Sequence, residues 1–394
     1  MRSNLRSVAS LGMAALFVFA VACTKKESAP TGGQAGAPAD AAGDTIKIGE
    51  IGSMTGSEAT FGSSTHDGIQ FAIDEINAAG GIKGKKLELI TLDDQGKPEE
   101  AATAATRLIT QNGITVLLGE VASSRSLAMA PIAQANGVPM VTPSSTNPKV
   151  TEMGDYIFRV CFIDPFQGTV MANFALNTLK AKKVAILRDV KNDYSVGLAD
   201  FFAETFKKAG GTVVMDQSYS AGDIDFKSQL TSIKPKQPDA IFVPGYYTEV
   251  GLIARQAKEL GIKAPLLGGD GWDSPKLTEI GGKAIEGAYF SNHYSSEDQS
   301  PAVQGFITKF KTAKGMVPDG LSAMGYDAAM FMADAMRRAP SLDKKAIRDA
   351  MAATKDFAGV TGKITMNAKR DAVKSAVVLK VVDGGYKYQT TVNP

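Results

Sequence analysis

The sequence is poor in the residues from which many metal and acid–base sites are built. Its 394 residues include two histidines and two cysteines, so His/Cys metal cages have no material and histidine catalysis has very little. No charge of one sign predominates: 43 Lys and Arg stand against 41 Asp and Glu. That balance excludes a basic nucleic-acid footprint. After residue 22 no apolar run approaches the about 20 residues that a membrane-spanning helix needs. Nucleotide loops are missing too, because Gly52–Gly56 has neither the G-x-G-x-x-G spacing nor the G-K-[ST] ending. A G-x-S-x-G nucleophile elbow is also absent. The expectation is a chain with no catalytic residues, no metal, no cofactor and no enzyme activity.

What is present begins with an address. Arg2 and Arg6 precede an apolar run, Val8 to Ala22, of 15 residues. It is too short to span a bilayer and has the order of a secretory signal. Small residues lead up to Cys23, an arrangement that resembles a bacterial lipoprotein signal whose cysteine is lipidated and becomes the mature N-terminus. Thr24 to Gly43 is rich in Ala, Gly and Pro without any hydrophobic period, and reads as a flexible tether. Residues 1–22 are thus expected to be a signal peptide and 23–43 a tether holding an exported body at a bacterial membrane. The other cysteine, Cys161, sits in an apolar strand-like segment and is expected to be buried as a small hydrophobe.

From Thr45 the body alternates strand and helix. Strand runs 46–51, 86–92, 114–119 and 139–142 are separated by helical stripes 66–79, 98–112 and 124–135. A second series follows, with strands 183–190, 211–217, 240–243 and 265–268 and helices 196–209, 226–233 and 249–260. Such alternation implies right-handed βαβ units and parallel sheets covered on both faces. The fold class is therefore α/β, with two Rossmann-like lobes. The last third breaks the rhythm, with three helices followed by strands 363–366, 376–382 and 386–392. It is expected to finish both lobes by crossing between them.

Ligands of open α/β sheets lie beyond the C-terminal ends of the strands, which directs attention to the strand-to-helix loops. Several are rich in Ser, Thr, Gly and aromatics and hold few charges. Ser123 and Ser124 open a helix, where a hydroxyl can cap and spare N–H groups can hold a carboxylate. Ser144, Ser145 and Thr146 offer a second hydroxyl cluster. Asp270, between glycines, can serve as a turn former or as an anion for an ammonium group. Trp272, Tyr246 and Tyr247 can wall a pocket.

Several segments together resemble the bacterial leucine/isoleucine/valine-binding proteins. They are Ile48–Gly56, Phe61–Gly62, Asp74–Gly84, Asp93–Asp94, Gly119–Ser124, Val141–Thr146, Gly245–Tyr246 and Gly268–Gly271, and the likeness runs in order from about Thr45 to the C-terminus. That family comprises solute receptors of ABC importers with the type I periplasmic binding fold. The resemblance implies two lobes joined by a three-strand hinge: 44–163 with 291–358, and 164–290 with 359–394. It places hinge residues near Ile163–Asp164, Phe290–Asn292 and Ala358–Thr361. It implies that Ser123 and Thr146 hold an amino-acid carboxylate, while Thr146, the Ser144 carbonyl and Asp270 hold the ammonium. Phe61, Tyr194, Tyr246 and Leu321 would form the wall, with Trp272 beside them. Relatives of this group usually carry Glu where Asp270 stands. The expected function is capture of an amino acid, branched-chain or otherwise apolar, for delivery to a membrane permease and its ATPase by a monomeric, periplasmic, lipid-anchored protein. The alternative is a detached sensory receptor for amino acids, amides or related small carboxylates.

Overall fold

The computed structural model describes residues 45–394. The expected signal peptide, Cys23 and the whole of the tether lie outside the described residues. The first sheet is parallel and five-stranded, built from β1 (Ile46–Gly52), β2 (Leu87–Asp93), β3 (Val116–Leu118), β4 (Met140–Thr142) and β5 (Ile157–Arg159), in the order β2-β1-β3-β4-β5. The second sheet takes β6 (Lys183–Asp189), β7 (Thr212–Tyr219), β8 (Ala240–Phe242), β9 (Leu266–Gly268) and β10 (Tyr289–Asn292), all parallel. A small antiparallel sheet follows, β11 (Phe357–Gly359), β12 (Gly362–Met366) and β13 (Ala372–Val373). The chain then returns to the second sheet as β14 (Ala376–Val382) and β15 (Gly385–Val392), an antiparallel hairpin beside β10.

Six helices position the site: α1 (Ala59–Ala78), α2 (Ser123–Ala135), α3 (Asp164–Asn173), α4 (Asp193–Lys208), α5 (Tyr247–Glu259) and α6 (Gly320–Arg338). Both faces of the first sheet are covered. On one, Ile69, Ile73 and Ile76 of α1 pack with Met324, Phe331 and Met332 of α6 over Ile46 and Ile48. Full burial of each such side chain contributes about 1.5–3 kcal/mol. These two helices cross closely because a Cβ at Gly68 would meet the Ser322 carbonyl, and one at Gly325 the Thr65 carbonyl. The second lobe's core continues across the cleft to Phe61, Val121, Ala122 and Leu321 of the first lobe. The lobes are closed on one another.

Three crossings join the lobes, and side chains of the first two meet. Phe162 follows β5 and stacks on His293, which follows β10, with ring centroids 3.8 Å apart. Lys374 lies between β13 and β14, bonds the Thr361 hydroxyl, and faces Asp327 of α6. Burial pushes its ammonium down to about 8 against the pull of Asp327. The third crossing lies later than the sequence suggested. Residues 359–373 were expected in the second lobe, but Ile364, Met366 and Ala372 pack into the first lobe's core, so the chain crosses near Lys374–Ser375 instead of Ala358–Thr361. Phe290–Asn292, the second expected hinge, end β10 directly before the crossing at His293. The first expected hinge, Ile163–Asp164, leads directly into α3, a helix the sequence reading did not assign.

Candidate functional site

In the first lobe two loops at the C-terminal ends of β3 and β4 are tied together. The Thr142 hydroxyl donates to the Glu120 carbonyl (2.6 Å), and the Ser145 hydroxyl lies 2.9 and 3.0 Å from the carbonyls of Glu120 and Val121. The Asn147 N–H donates to the Ser123 hydroxyl at 3.2 Å. Beneath them Arg159, fully buried, donates to the carbonyls of Ser145 and Asn147 and to Asp371 (2.7 Å). These bonds hold Ser123 at the start of α2, where the first-turn N–H groups have no intrahelical partner. Ser144 and Thr146 are held opposite, on the second loop.

The second lobe supplies a stack of rings and a carboxylate. Tyr194, at the start of α4, stacks on Tyr246 with centroids 5.4 Å apart. Tyr246 in turn meets the edge of Phe61 from α1 at 5.1 Å. The Gly271 N–H donates to the Tyr194 hydroxyl at 3.1 Å, fixing the loop that bears Asp270. Asp270 accepts from Gln167 Nε2 (2.6 Å) on one oxygen, and from Ser144 Oγ (3.2 Å) and His293 Nε2 (3.0 Å) on the other. A carboxylate only accepts, so His293 carries its proton on Nε2. Burial lowers the imidazole pKa, against the opposing pull of Asp270.

Closure is reinforced at the rim. The Ser124 hydroxyl donates to Asp193 Oδ2 (2.9 Å) and accepts from the Asp193 N–H (3.0 Å). Asn147 Nδ2 donates to the Asp193 carbonyl at 2.8 Å. On the other side the Thr248 hydroxyl donates to the Ser57 carbonyl at 2.7 Å.

Seven of the nine residues expected in the site line one cavity between the lobes: Phe61, Ser123, Ser144, Tyr194, Tyr246, Asp270 and Leu321. In this closed form the cavity is about 10 Å³, room for about one water molecule, so an amino acid enters only if the lobes part. Two expected residues are not in the lining. Thr146 is buried just behind it, with its hydroxyl beside the Asp164 carboxyl. Trp272 is fully buried beneath the Asp270 loop, with its indole N–H on the Val243 carbonyl (3.0 Å) and its ring against Phe290. It supports that loop from inside the second lobe.

Three polar residues of the site went unread in the sequence: Asp164, Gln167 and His293. Asp164 is fully buried at the start of α3, its N–H bonds the Thr146 carbonyl (3.0 Å), and its carboxyl has only the Thr146 hydroxyl beside it. Burial pushes its carboxyl well above the usual range, and the nearby charge of Asp270 adds to the rise. The only available signal was an Asp-Pro pair, a frequent helix opening, directly after an apolar strand. Cys161 is buried as expected, and burial pushes its thiol up to about 12, which leaves it unreactive.

Comparison with known proteins places this geometry. Residues 45–386 match the family model described as periplasmic binding protein. The chain is 36% identical over 309 residues to the Leu/Ile/Val-binding protein homolog 3 of Brucella melitensis, covering 78% of this chain and 83% of that protein. The crystal structure of the leucine binding protein LivK from Thermotoga maritima superposes with a TM-score of 0.86 at 44% identity, covering 89% of this chain and 99% of that one. The branched-chain amino acid transporter substrate binding protein LivJ from Streptococcus pneumoniae, solved in complex with isoleucine, gives 0.84 at 36% identity, covering 89% and 100%. Each is a binding protein, and none is an enzyme.

Proposed function

We propose, from the premise that this chain belongs to the periplasmic binding protein family, that it captures an apolar amino acid, branched-chain by preference, between its lobes. It then presents that amino acid to the permease of an ABC importer. The carboxylate is received by the Ser123 hydroxyl, the first N–H groups of α2 and the Thr146 hydroxyl. The ammonium lies among the Ser144 carbonyl, Thr146, Asp270 and Asp164. Phe61, Tyr246 and Leu321 read the side chain. An amino acid is a fixed pair of opposite charges, so an anion site and a cation site facing each other grip its common part. Charge-assisted hydrogen bonds in a closed, dry cleft are stronger than their equivalents in water.

The observation that carries this reading is the fully buried Asp164 carboxyl, with no cation and only the Thr146 hydroxyl beside it, behind a cleft lined by Ser123, Ser144, Asp270, aromatic rings and Leu321. A ligand ammonium would supply the missing counter-charge. The family is extracytoplasmic in character, and the Cys23 anchor, a monomeric state and delivery to a permease complete the proposal. A thermal-shift screen of the twenty amino acids tests it. A ligand at 100 times its dissociation constant adds about 2.7 kcal/mol of stability. Leucine, isoleucine or valine should give the largest shift, and no shift from any of the three would reject the assignment.

A further inference from the structure

One ring stands behind the cleft without lining it. His293 is buried and lies outside the lining of the cavity between the lobes. It follows Asn292, the last residue of β10, and so belongs to the second crossing. Two contacts fix it there. Its face lies on Phe162 of the first crossing, with ring centroids 3.8 Å apart and planes inclined by 31°. Its Nε2 donates to Asp270 Oδ2 at 3.0 Å. An imidazole held by stacking has little rotamer freedom left to lose, so its N–H is aimed before any ligand arrives.

Asp270 is the acid that receives the ligand ammonium in the function proposed above, and the inference rests on that reading. Its carboxylate has donors on both oxygens: Gln167 Nε2 on Oδ1 (2.6 Å), and His293 Nε2 and Ser144 Oγ on Oδ2 (3.0 and 3.2 Å). These donors part company when the lobes separate. Ser144 stands on the loop after β4 and leaves with the first lobe. Gln167 stays, because its helix α3 buries Val170 and Met171 in the second lobe's core. His293 stays too, since it adjoins β10, and β10 pairs with β9, which ends just before the Asp270 loop.

We infer that His293 is a positioning residue for amino-acid capture: it keeps the Asp270 carboxylate aimed in the open cleft, with one oxygen on the imidazole and the other on Gln167. Held at Oδ1 alone, the carboxylate would turn about its Cβ–Cγ bond. Held at both oxygens, its plane is fixed before the ligand arrives. A carboxylate accepts about four hydrogen bonds, so the lone pairs that these donors leave free are kept for the ammonium. The bond from His293 is charge-assisted and buried, which makes it stronger than a neutral pair in water. Ser144 joins Oδ2 only on closure. The ring acts on the ligand through Asp270 and needs no contact with it.

The test is titration calorimetry with leucine, isoleucine and valine on three variants. His293→Phe keeps the stack on Phe162 without a donor, His293→Gln keeps a donor at similar reach without the ring, and His293→Met has neither. Loss of a hydrogen bond to a charged group should weaken binding about tenfold or more in His293→Phe and His293→Met. His293→Gln should stay within about threefold of the native chain, because the donor survives. Native affinity in His293→Phe would overturn the assignment. So would His293→Gln binding as weakly as His293→Phe, since the ring would then serve packing alone. Should His293→Phe fail to fold, His293→Gln and His293→Met decide, and equal affinity in that pair is a refutation. A native chain that binds none of the three amino acids would reject the proposed function and this role with it, whereas native binding with indifferent variants rejects this role alone.

Discussion

Replacing Asp164 by Asn should move ligand affinity and stability in opposite directions. The side chain is fully buried at the start of α3, with no cation and only the Thr146 hydroxyl beside it. Truncating one member of a buried, hydrogen-bonded charge pair costs about 2–5 kcal/mol. Asp270 still faces the ammonium in the variant, so the lower limit applies and leucine should bind about 30-fold more weakly. Stability follows from the raised carboxyl pKa. The folded chain holds this proton more tightly than the unfolded chain does. The stability it contributes is therefore present at low pH and is lost as pH rises past the ordinary carboxylate range, at about 4. The amide suffers no such loss. Ligand-free Asp164→Asn should thus melt above the native protein at neutral pH, by a margin that shrinks toward acid. Calorimetry with leucine and melting curves across that pH range measure both effects. Unchanged leucine affinity would remove Asp164 from the ammonium site, and a lower neutral-pH melting temperature would refute the burial argument.

Four further outcomes are expected. Asp270→Ala should weaken amino-acid binding at least tenfold, and equal affinity by calorimetry would move the ammonium site elsewhere. The lowered His293 pKa means that this ring stabilises the fold above the ordinary histidine range, a contribution lost as pH falls through about 6.5. His293→Gln should accordingly lose less melting temperature on acidification than the native chain, and parallel slopes would contradict that. Small-angle scattering should show a smaller radius of gyration with saturating leucine than without, because the nearly filled closed cleft admits ligand only from an open form. An unaltered curve would favour binding on one lobe. Cys23→Ala should release the protein from the membrane fraction, and unchanged fractionation would dismiss the anchor.

The parallel strands and their helices were legible because local periodicity carries them, and the rule that ligands sit past strand C-termini found the loops bearing Ser123, Ser144 and Asp270. What escaped depends on distant partners. Gln167 matters because it bonds Asp270, 103 residues later, and nothing local marks that. Helix α3 was not read because Gln167, Gly168, Val170, Met171 and Ala172 are all buried, which leaves little polar stripe to set a period. Trp272 looked like a pocket wall because glycine and aspartate flank it. A Cβ at Gly268 would collide with the indole, so that glycine leaves the space into which the ring turns, away from the cleft. The 357–373 hairpins alternate as any exposed strands do, and only the docking of Ile364 and Met366 decides which lobe receives them.

The buried guanidinium of Arg159 sets a schedule for the molecule's life. It fixes the headgroup loop through the carbonyls of Ser145 and Asn147, yet its carboxylate partner, Asp371, lies 212 residues downstream. An uncompensated buried charge is strongly destabilising, so the loop cannot settle until that aspartate is in place. Folding that proceeds from the N-terminus therefore completes this loop only once residue 371 is available. The last turns of the sequence act as a release on the first.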